Sequence, residues 1–198
     1  TLKLFDVFEH DLMLSFLPLS HAFERTVGYY LPMTTGTAVA YNRSIPLLAE
    51  DLMAIQPTLM ISVPRIFERI YARINDKLAT ESALRQRLFR AARDVGWAHF
   101  LYRQGRGRWQ PVFLARPLLD ALVGRKVRAR FGGRMRFTVC GGAPLAPDVA
   151  QLFIGLGIPV VQGYGLTETS PGITANPLKT HNPAAVGSGL PGIEGRGE

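Results

Sequence analysis

Twice in its C-terminal third the chain repeats one pattern, a short apolar run that ends in glycines. Phe137 to Cys140 runs into Gly141-Gly142-Ala143-Pro144, and Ile158 to Val161 runs into Gln162-Gly163-Tyr164-Gly165. Short apolar runs bounded by turn residues predict buried strands. The residues between them, about 147–156, read as a helical segment, so the whole is a βαβ unit. A right-handed parallel crossover puts both glycine turns on the same edge of one sheet. That inference sets the fold class as α/β. It also says where a ligand can sit, because open α/β sheets bind ligands beyond the carboxyl ends of their strands.

The second turn carries the denser chemistry. Residues 158–170 pass from the apolar run through Gly163-Tyr164-Gly165 to Thr167, Glu168, Thr169 and Ser170. Glycines let a backbone turn sharply and approach a ligand closely. Tyr164 offers a flat face to a base, Thr167 a hydroxyl to a phosphate oxygen, and Glu168 a hard carboxylate to Mg²⁺. A planar ligand could lie between the Gly-Gly-Ala backbone and the Tyr164 ring. The same spacing also suits an ordinary strand-to-loop turn with a surface Thr-Glu-Thr.

The earlier chain follows the same α/β grammar. Strands are predicted over Asp11 to Leu17, Thr37 to Tyr41 and Thr58 to Val63. Ser20 is placed to N-cap a helix over about 21–33, with Glu24 near the capping-box spacing. A helix is expected over Ile45 to Ile55 and ends before Pro57. Pro64 opens another, where Ile66, Phe67, Ile70, Tyr71 and Ile74 form one apolar stripe opposite Arg65, Glu68, Arg69 and Arg73. Core packing and a wall for an apolar substrate both suit that stripe. Residues 81–104 continue as helix, with Leu84, Leu88, Val95 and Trp97 partly spaced for burial. The segment Gln104 to Pro111 is a basic loop around Trp109, Leu114 to Arg130 is again helical, and the tail from Pro177 reads as loop.

Charge is unevenly placed. The 198 residues carry a formal net charge of +8, yet the span from Arg85 to Arg136 holds fourteen Lys/Arg against two acids, a local +12. A belt of this kind suits a polyanionic partner such as an anionic membrane, or a solvated basic face. No nucleic-acid motif, metal-ligand spacing, Ser-His-Asp order or internal repeat accompanies it. No apolar run approaches the roughly 18–20 residues of a membrane span. The lone Cys140 forbids an internal disulfide framework, fits a reducing cytosol, and reads as a small buried thiol.

Cys-Gly-Gly-Ala-Pro-Leu followed by Gln-Gly-Tyr-Gly-Leu-Thr-Glu-Thr resembles the adenylate-forming ligases. Leu17-Pro-Leu-Ser-His-Ala-Phe-Glu-Arg25 and Val63-Pro-Arg-Ile-Phe-Glu-Arg69 narrow the resemblance to the long-chain fatty acyl-CoA synthetases. It implies the layered αβαβα N-terminal domain of those enzymes, mainly parallel strands with covering helices, of which residues 1–192 form the central portion. The phosphate loop would precede Thr1, and the ribose-binding motif and C-terminal domain would follow Glu198. Residues 193–198 are expected to be a terminal loop or tag, since Ile193-Glu-Gly-Arg196 spells a common protease-cleavage site.

What the resemblance implies for the site is carried over residue by residue. Gly141, Gly142, Ala143, Pro144 and Tyr164 would hold adenine, and Gln162 and Gly163 would offer backbone carbonyls beside its amino group. Gly165 belongs to the same turn. Thr167 would contact the α-phosphate, Glu168 would hold Mg²⁺, and His21 would lie near the acyl end. The implied substrates are a long-chain fatty acid, ATP and CoA, in a cytoplasmic enzyme with peripheral membrane contact through residues 85–136. Two alternatives stay open: transfer of the acyl group to a carrier protein instead of CoA, and, for this segment by itself, nucleotide or acyl binding without catalysis.

Overall fold

The computed structural model describes residues 5–169 and 172–193. Among them, five short strands form a parallel sheet: β1 (Leu12–Ser15), β2 (Ala38–Tyr41), β3 (Leu59–Ser62), β4 (Phe137–Cys140) and β5 (Val160–Tyr164). The order is β2-β1-β3-β4-β5, and two small strands, β6 (Thr174–Ala175) and β7 (Ser188–Gly189), extend the sheet antiparallel beyond β5. The α/β reading and its mainly parallel sheet hold. The registers pair Ser62 with Cys140 and Cys140 with Gln162, so the carboxyl ends of β3, β4 and β5 lie side by side.

Period-2 alternation sends each strand's side chains to opposite faces. Leu14, Met60, Cys140 and Val160 enter one core; Met13, Leu59, Ile61, Phe137, Val139 and Val161 enter the other. Helices cover the first face: α2 (Leu48–Ile55), α3 (Pro64–Ala79), α4 (Ala83–Arg103) and α7 (Pro147–Gly155). The α3 stripe is core packing, with Phe67 fully buried and edge-on to Phe153 at 5.0 Å. Burying such a ring contributes roughly 1.5–3 kcal/mol. Helices α4 and α7 cross backbone to backbone: a Cβ added to Gly96 would overlap the Gly155 carbonyl, and one added to Gly155 would overlap the Arg93 carbonyl. No other residue type allows that approach.

The second face is covered by a helix whose first part, Glu24–Tyr30, is π-helical and runs into α1 (Leu31–Thr35). Pro32 lacks the N–H that would bond to the Gly28 carbonyl, and its ring crowds that carbonyl, which a wider turn relieves. The capping expectation is corrected here. His21 Nδ1 accepts the Phe23 amide at 3.2 Å, while Glu24 turns inward, is 0% exposed, and accepts the Ser15 hydroxyl hydrogen bond at 2.5 Å. Only one carboxyl oxygen is partnered there; Oε2 is buried with no hydrogen-bond partner among the described residues, and burial favours the protonated form.

Three other expectations are also corrected. Leu84 lies on the exposed side of α4. The region 114–130 is broken into a 3₁₀ turn (Pro111–Ala115), α5 (Arg116–Leu119), a π-helical turn (Asp120–Gly124) and α6 (Arg125–Ala129), with Pro117 in the first turn of α5. The tail contains the β7 strand and a 3₁₀ turn, Leu178–Thr180, as well as loop. At the amino edge of the sheet, Asp11 accepts hydrogen bonds from Thr58 Oγ1 at 2.7 Å and from Arg136, which also lies over the Phe8 ring at 4.7 Å. Part of the basic belt is thereby engaged within the chain, as are Arg93 with Asp94 and Arg128 with Asp120.

Candidate functional site

Both glycine turns leave the sheet at its carboxyl edge, from the adjacent strands β4 and β5. The first begins when the Gly141 amide donates to the Ser62 carbonyl at 3.1 Å, closing the β3–β4 ladder. Gly142 then takes φ = +87°, a left-handed conformation that turns the chain outward, and Ala143 and Pro144 stand exposed beyond it. The nearest atom to a Cβ placed on Gly142 would be Val63 Cγ1 at 3.9 Å, so this backbone has open space in front of it.

The second turn is joined to the first through a side chain. Gln162 is buried; its Oε1 accepts the Leu145 amide at 3.0 Å and its Nε2 donates to the Pro183 carbonyl at 2.8 Å. Its backbone carbonyl accepts the Asn176 amide at 3.0 Å as β5 pairs with β6. Gly163 is opposite Ala175 in that pairing, and Tyr164 opposite Thr174. The Tyr164 side chain is 48% exposed at the edge, a flat face available to a ligand.

After Gly165 the chain makes a single 3₁₀ turn, Thr167–Thr169. Thr169 closes it: its hydroxyl donates to the Leu166 carbonyl at 2.8 Å and accepts the Leu166 amide at 3.0 Å. Thr167 and Glu168 are exposed beside it, and among the described residues neither side chain has a hydrogen-bond or ion-pair partner. Ser170 lies outside the described residues, as do Glu194 to Glu198.

His21 is exposed and held by its own helix start. Two residues on, the Phe23 ring packs against the first glycine turn, its Cζ 3.0 Å from where a Gly141 Cβ would stand. The helix start and the glycine turn are therefore neighbours. Cys140, beneath that turn, is buried; burial first and Glu68 second push its thiol pKa up to about 12, which excludes a thiolate nucleophile near neutral pH.

Sequence reasoning found the residues of the exposed edge and missed three that build it: the Gln162 side chain, Phe23 and Thr169. Only Thr169 carried a recognisable signal, a hydroxyl residue placed to bond the backbone three residues back. Chemically, the donor set suits a phosphorylated planar ligand: open glycine backbone, one exposed aromatic face, a free hydroxyl and a free carboxylate. One carboxylate is also what a Mg²⁺ ion shared with substrate phosphates requires, since such an ion keeps several waters.

Parallel sheet, paired glycine turns and an exposed aromatic-hydroxyl-carboxylate edge together define an α/β domain with a candidate ligand site at its carboxyl edge. The chain belongs to the AMP-binding enzyme family, whose model matches residues 2–196. Its relatives include Long chain acyl-CoA synthetase 6, peroxisomal, of Arabidopsis thaliana, 37% identical over 94% of this chain and 26% of that protein. Long-chain-fatty-acid–CoA ligase FadD15 of Mycobacterium tuberculosis (strain ATCC 25618 / H37Rv) is 32% identical over 92% of this chain and 30% of that protein. The chain thus spans less than a third of either relative. Among solved structures, apo MatB from Rhodopseudomonas palustris superposes with a TM-score of 0.59 at 21% identity, covering 96% of this chain and 28% of that one, which shows a shared fold.

Proposed function

We propose that this chain is the central part of the nucleotide-binding domain of a long-chain fatty acid–CoA ligase. The observation that carries the reading is the joining of the two glycine turns by Gln162 at one sheet edge, with Tyr164, Thr167 and Glu168 exposed beside them. Adenine would stack on Tyr164 against the backbone of Gly141, Gly142, Ala143 and Pro144, with Gly165 shaping the turn. The carbonyls of Gln162 and Gly163 would face its amino group, the former sharing its lone pairs with the Asn176 amide.

The chemistry comprises two displacements. A fatty carboxylate oxygen attacks the α-phosphorus of ATP; the bond to the β-phosphate oxygen breaks, giving acyl-adenylate and pyrophosphate. The sulfur of CoA then attacks the acyl carbonyl, its proton goes to solvent, and AMP leaves with the bonding electrons. The first step crowds negative charge around phosphorus, so its barrier falls where donors are already oriented. The Thr167 hydroxyl would donate to the α-phosphate, and the Glu168 carboxylate would hold Mg²⁺, which supplies charge neutralisation when bound. His21, set beside the first turn through Phe23, would line the acyl approach.

The parent is cytoplasmic in this reading and touches anionic membrane through part of the 85–136 region. Support comes from the exposed Trp109, Leu114 and Leu118, at 55%, 78% and 64%, interleaved with Arg108 and Arg116. Apolar side chains fringed by arginine suit a headgroup layer. Among the described residues no helix is long and apolar enough to cross a membrane.

The deciding experiment supplies the full-length parent with ATP, Mg²⁺, a long-chain fatty acid and CoA. Fatty-acid-dependent release of pyrophosphate with acyl-CoA as product is expected. Acyl-adenylate without thioester would replace CoA by a carrier-protein acceptor. No fatty-acid-dependent pyrophosphate release would overturn the assignment.

A further inference from the structure

One cavity lies away from both glycine turns. Its floor includes Gly157 and Pro159, which precede β5, so it opens at the amino edge of the sheet, between α4, α5 and the turn at Leu178–Thr180. Its volume is about 500 Å³, within the range of small-molecule sites. One part of the wall is apolar, from Phe100, Leu156 and Leu178. The other carries three cations, Arg103, Arg116 and Lys179, for which no ion pair exists among the described residues. The single acid, Asp120, already accepts two hydrogen bonds from Arg128, at 2.6 and 2.8 Å.

A second observation points to a ligand. His181 lines the same cavity, is 2% exposed, and its Nε2 has no hydrogen-bond partner among the described residues. A buried polar atom left unpaired is costly unless something fills the place. The ring is well fixed: the Phe100 edge meets it at 5.4 Å, and Arg106 donates to the His181 backbone carbonyl at 2.9 Å. Burial, then Arg106, lowers its pKa to about 4, so it is a neutral hydrogen-bonding group near neutral pH. His99 in the same wall has its pKa lowered, by burial first and then by the charges of Arg116 and Arg103.

We propose that this cavity binds an organic phosphate monoester, with Arg103, Arg116 and Lys179 supplying charge and the unpartnered imidazole nitrogen of His181 a hydrogen bond. Three unpaired cations match a dianion better than a carboxylate, and the apolar wall needs an organic body. The ester can come from a soluble metabolite or from the headgroup of phosphatidic acid; both present the same group. Neither touches the nucleotide edge, so the site stands apart from the ligase reading.

The test uses the full-length parent saturated with an acyl-sulfamoyl adenosine, an acyl-adenylate mimic that carries no phosphate and keeps added phosphates out of the nucleotide site. Calorimetry with glycerol 3-phosphate is one arm; flotation with phosphatidylcholine vesicles carrying phosphatidic acid, against vesicles carrying phosphatidylglycerol, a diester, at matched charge, is the other. At least one arm should show binding, and which one identifies the source. The exposed pair Arg116→Gln/Lys179→Gln should weaken it about ten- to hundredfold, as loss of charge-assisted hydrogen bonds does, while affinity for the phosphate-free adenylate mimic is unchanged. Should that variant melt early, the imidazole ¹⁵N resonances of His181 in the unaltered protein give the answer, because the ester should move them. Failure of both arms, binding that survives the double substitution in a folded protein, or unmoved His181 resonances overturns the proposal.

Discussion

The side-chain oxygen of Gln162 accepts the backbone amide of Leu145 at 3.0 Å, and that bond ties the end of the first glycine turn to the strand that launches the second. The two turns are therefore one unit rather than two loops that happen to adjoin. Gln162→Leu removes the acceptor and leaves the buried amide unpaired, which should cost about 1–3 kcal/mol of stability. Urea unfolding of the parent measures it, and ATP affinity should fall with it. Unchanged stability would mean that other contacts hold the turns together.

The exposed Tyr164 face is proposed to stack on adenine. Tyr164→Ala should weaken ATP binding by roughly 1–3 kcal/mol, on the scale of base–aromatic stacking elsewhere, and Tyr164→Phe by much less. Calorimetry on the parent decides; equal affinities for wild type and the Ala variant rule stacking out.

Glu168 is unpaired in the described structure, so its removal should cost little stability and much rate. Glu168→Gln should lower adenylation by about 10²–10³-fold, and supplying preformed acyl-adenylate should restore thioester formation. Glu50→Gln, in an exposed ion pair with Arg43, is the control. Near-normal adenylation by Glu168→Gln at limiting Mg²⁺ removes Glu168 from the metal.

Glu24 links stability to pH. Burial raises its pKa, opposed only by the Ser15 hydroxyl bond. The native state then holds a proton that the unfolded chain releases above about pH 4.3. The contribution is complete below that value and is lost as pH rises through the native pKa. Glu24→Gln keeps the hydrogen-bonding shape without ionising, so it should gain stability relative to wild type between about pH 4 and 7. Denaturant unfolding at both pH values shows this, and a difference independent of pH would contradict it.

Membrane contact, if made by the basic loop, depends on apolar insertion as well as charge. Arg106 is a poor probe because it also holds the His181 carbonyl. Arg108→Gln, Trp109→Ser and Leu114→Ser together should release the parent from anionic vesicles by about 100-fold or more, at about 1 kcal/mol per arginine and 1.5 or more per apolar side chain. Salt should erode the charged share. Unaltered binding leaves this surface as a solvated face.

The sheet was legible because buried parallel strands are short apolar runs, and Phe137 to Cys140 or Thr58 to Val63 look like nothing else. The exposed edge was legible because each buried run breaks into glycines, and Tyr164, flanked by two of them, is left 48% exposed. Glu24 was misplaced because its spacing from Ser20 lies near that of a capping box, and no local pattern reveals that Ser15 lies across the gap. Leu84 was misplaced for a related reason: helical spacing tells which residues share a face and leaves open whether anything covers it. The role of the Gln162 side chain escaped because its partners, Leu145 and Pro183, are distant in the chain.

The contact between Gly96 and Gly155 has a further consequence. Both obstacles to a side chain there are main-chain carbonyls, which no rotamer change can move aside, so a single methyl group must push two helices apart. One of those helices runs directly toward β5 and Tyr164; the other ends at the turn around His181. Alanine at position 96, remote from the carboxyl edge but in the wall of the cavity beside α4, is thus a wedge driven between the two helices that cover one face of the sheet, and a single added methyl is felt along both.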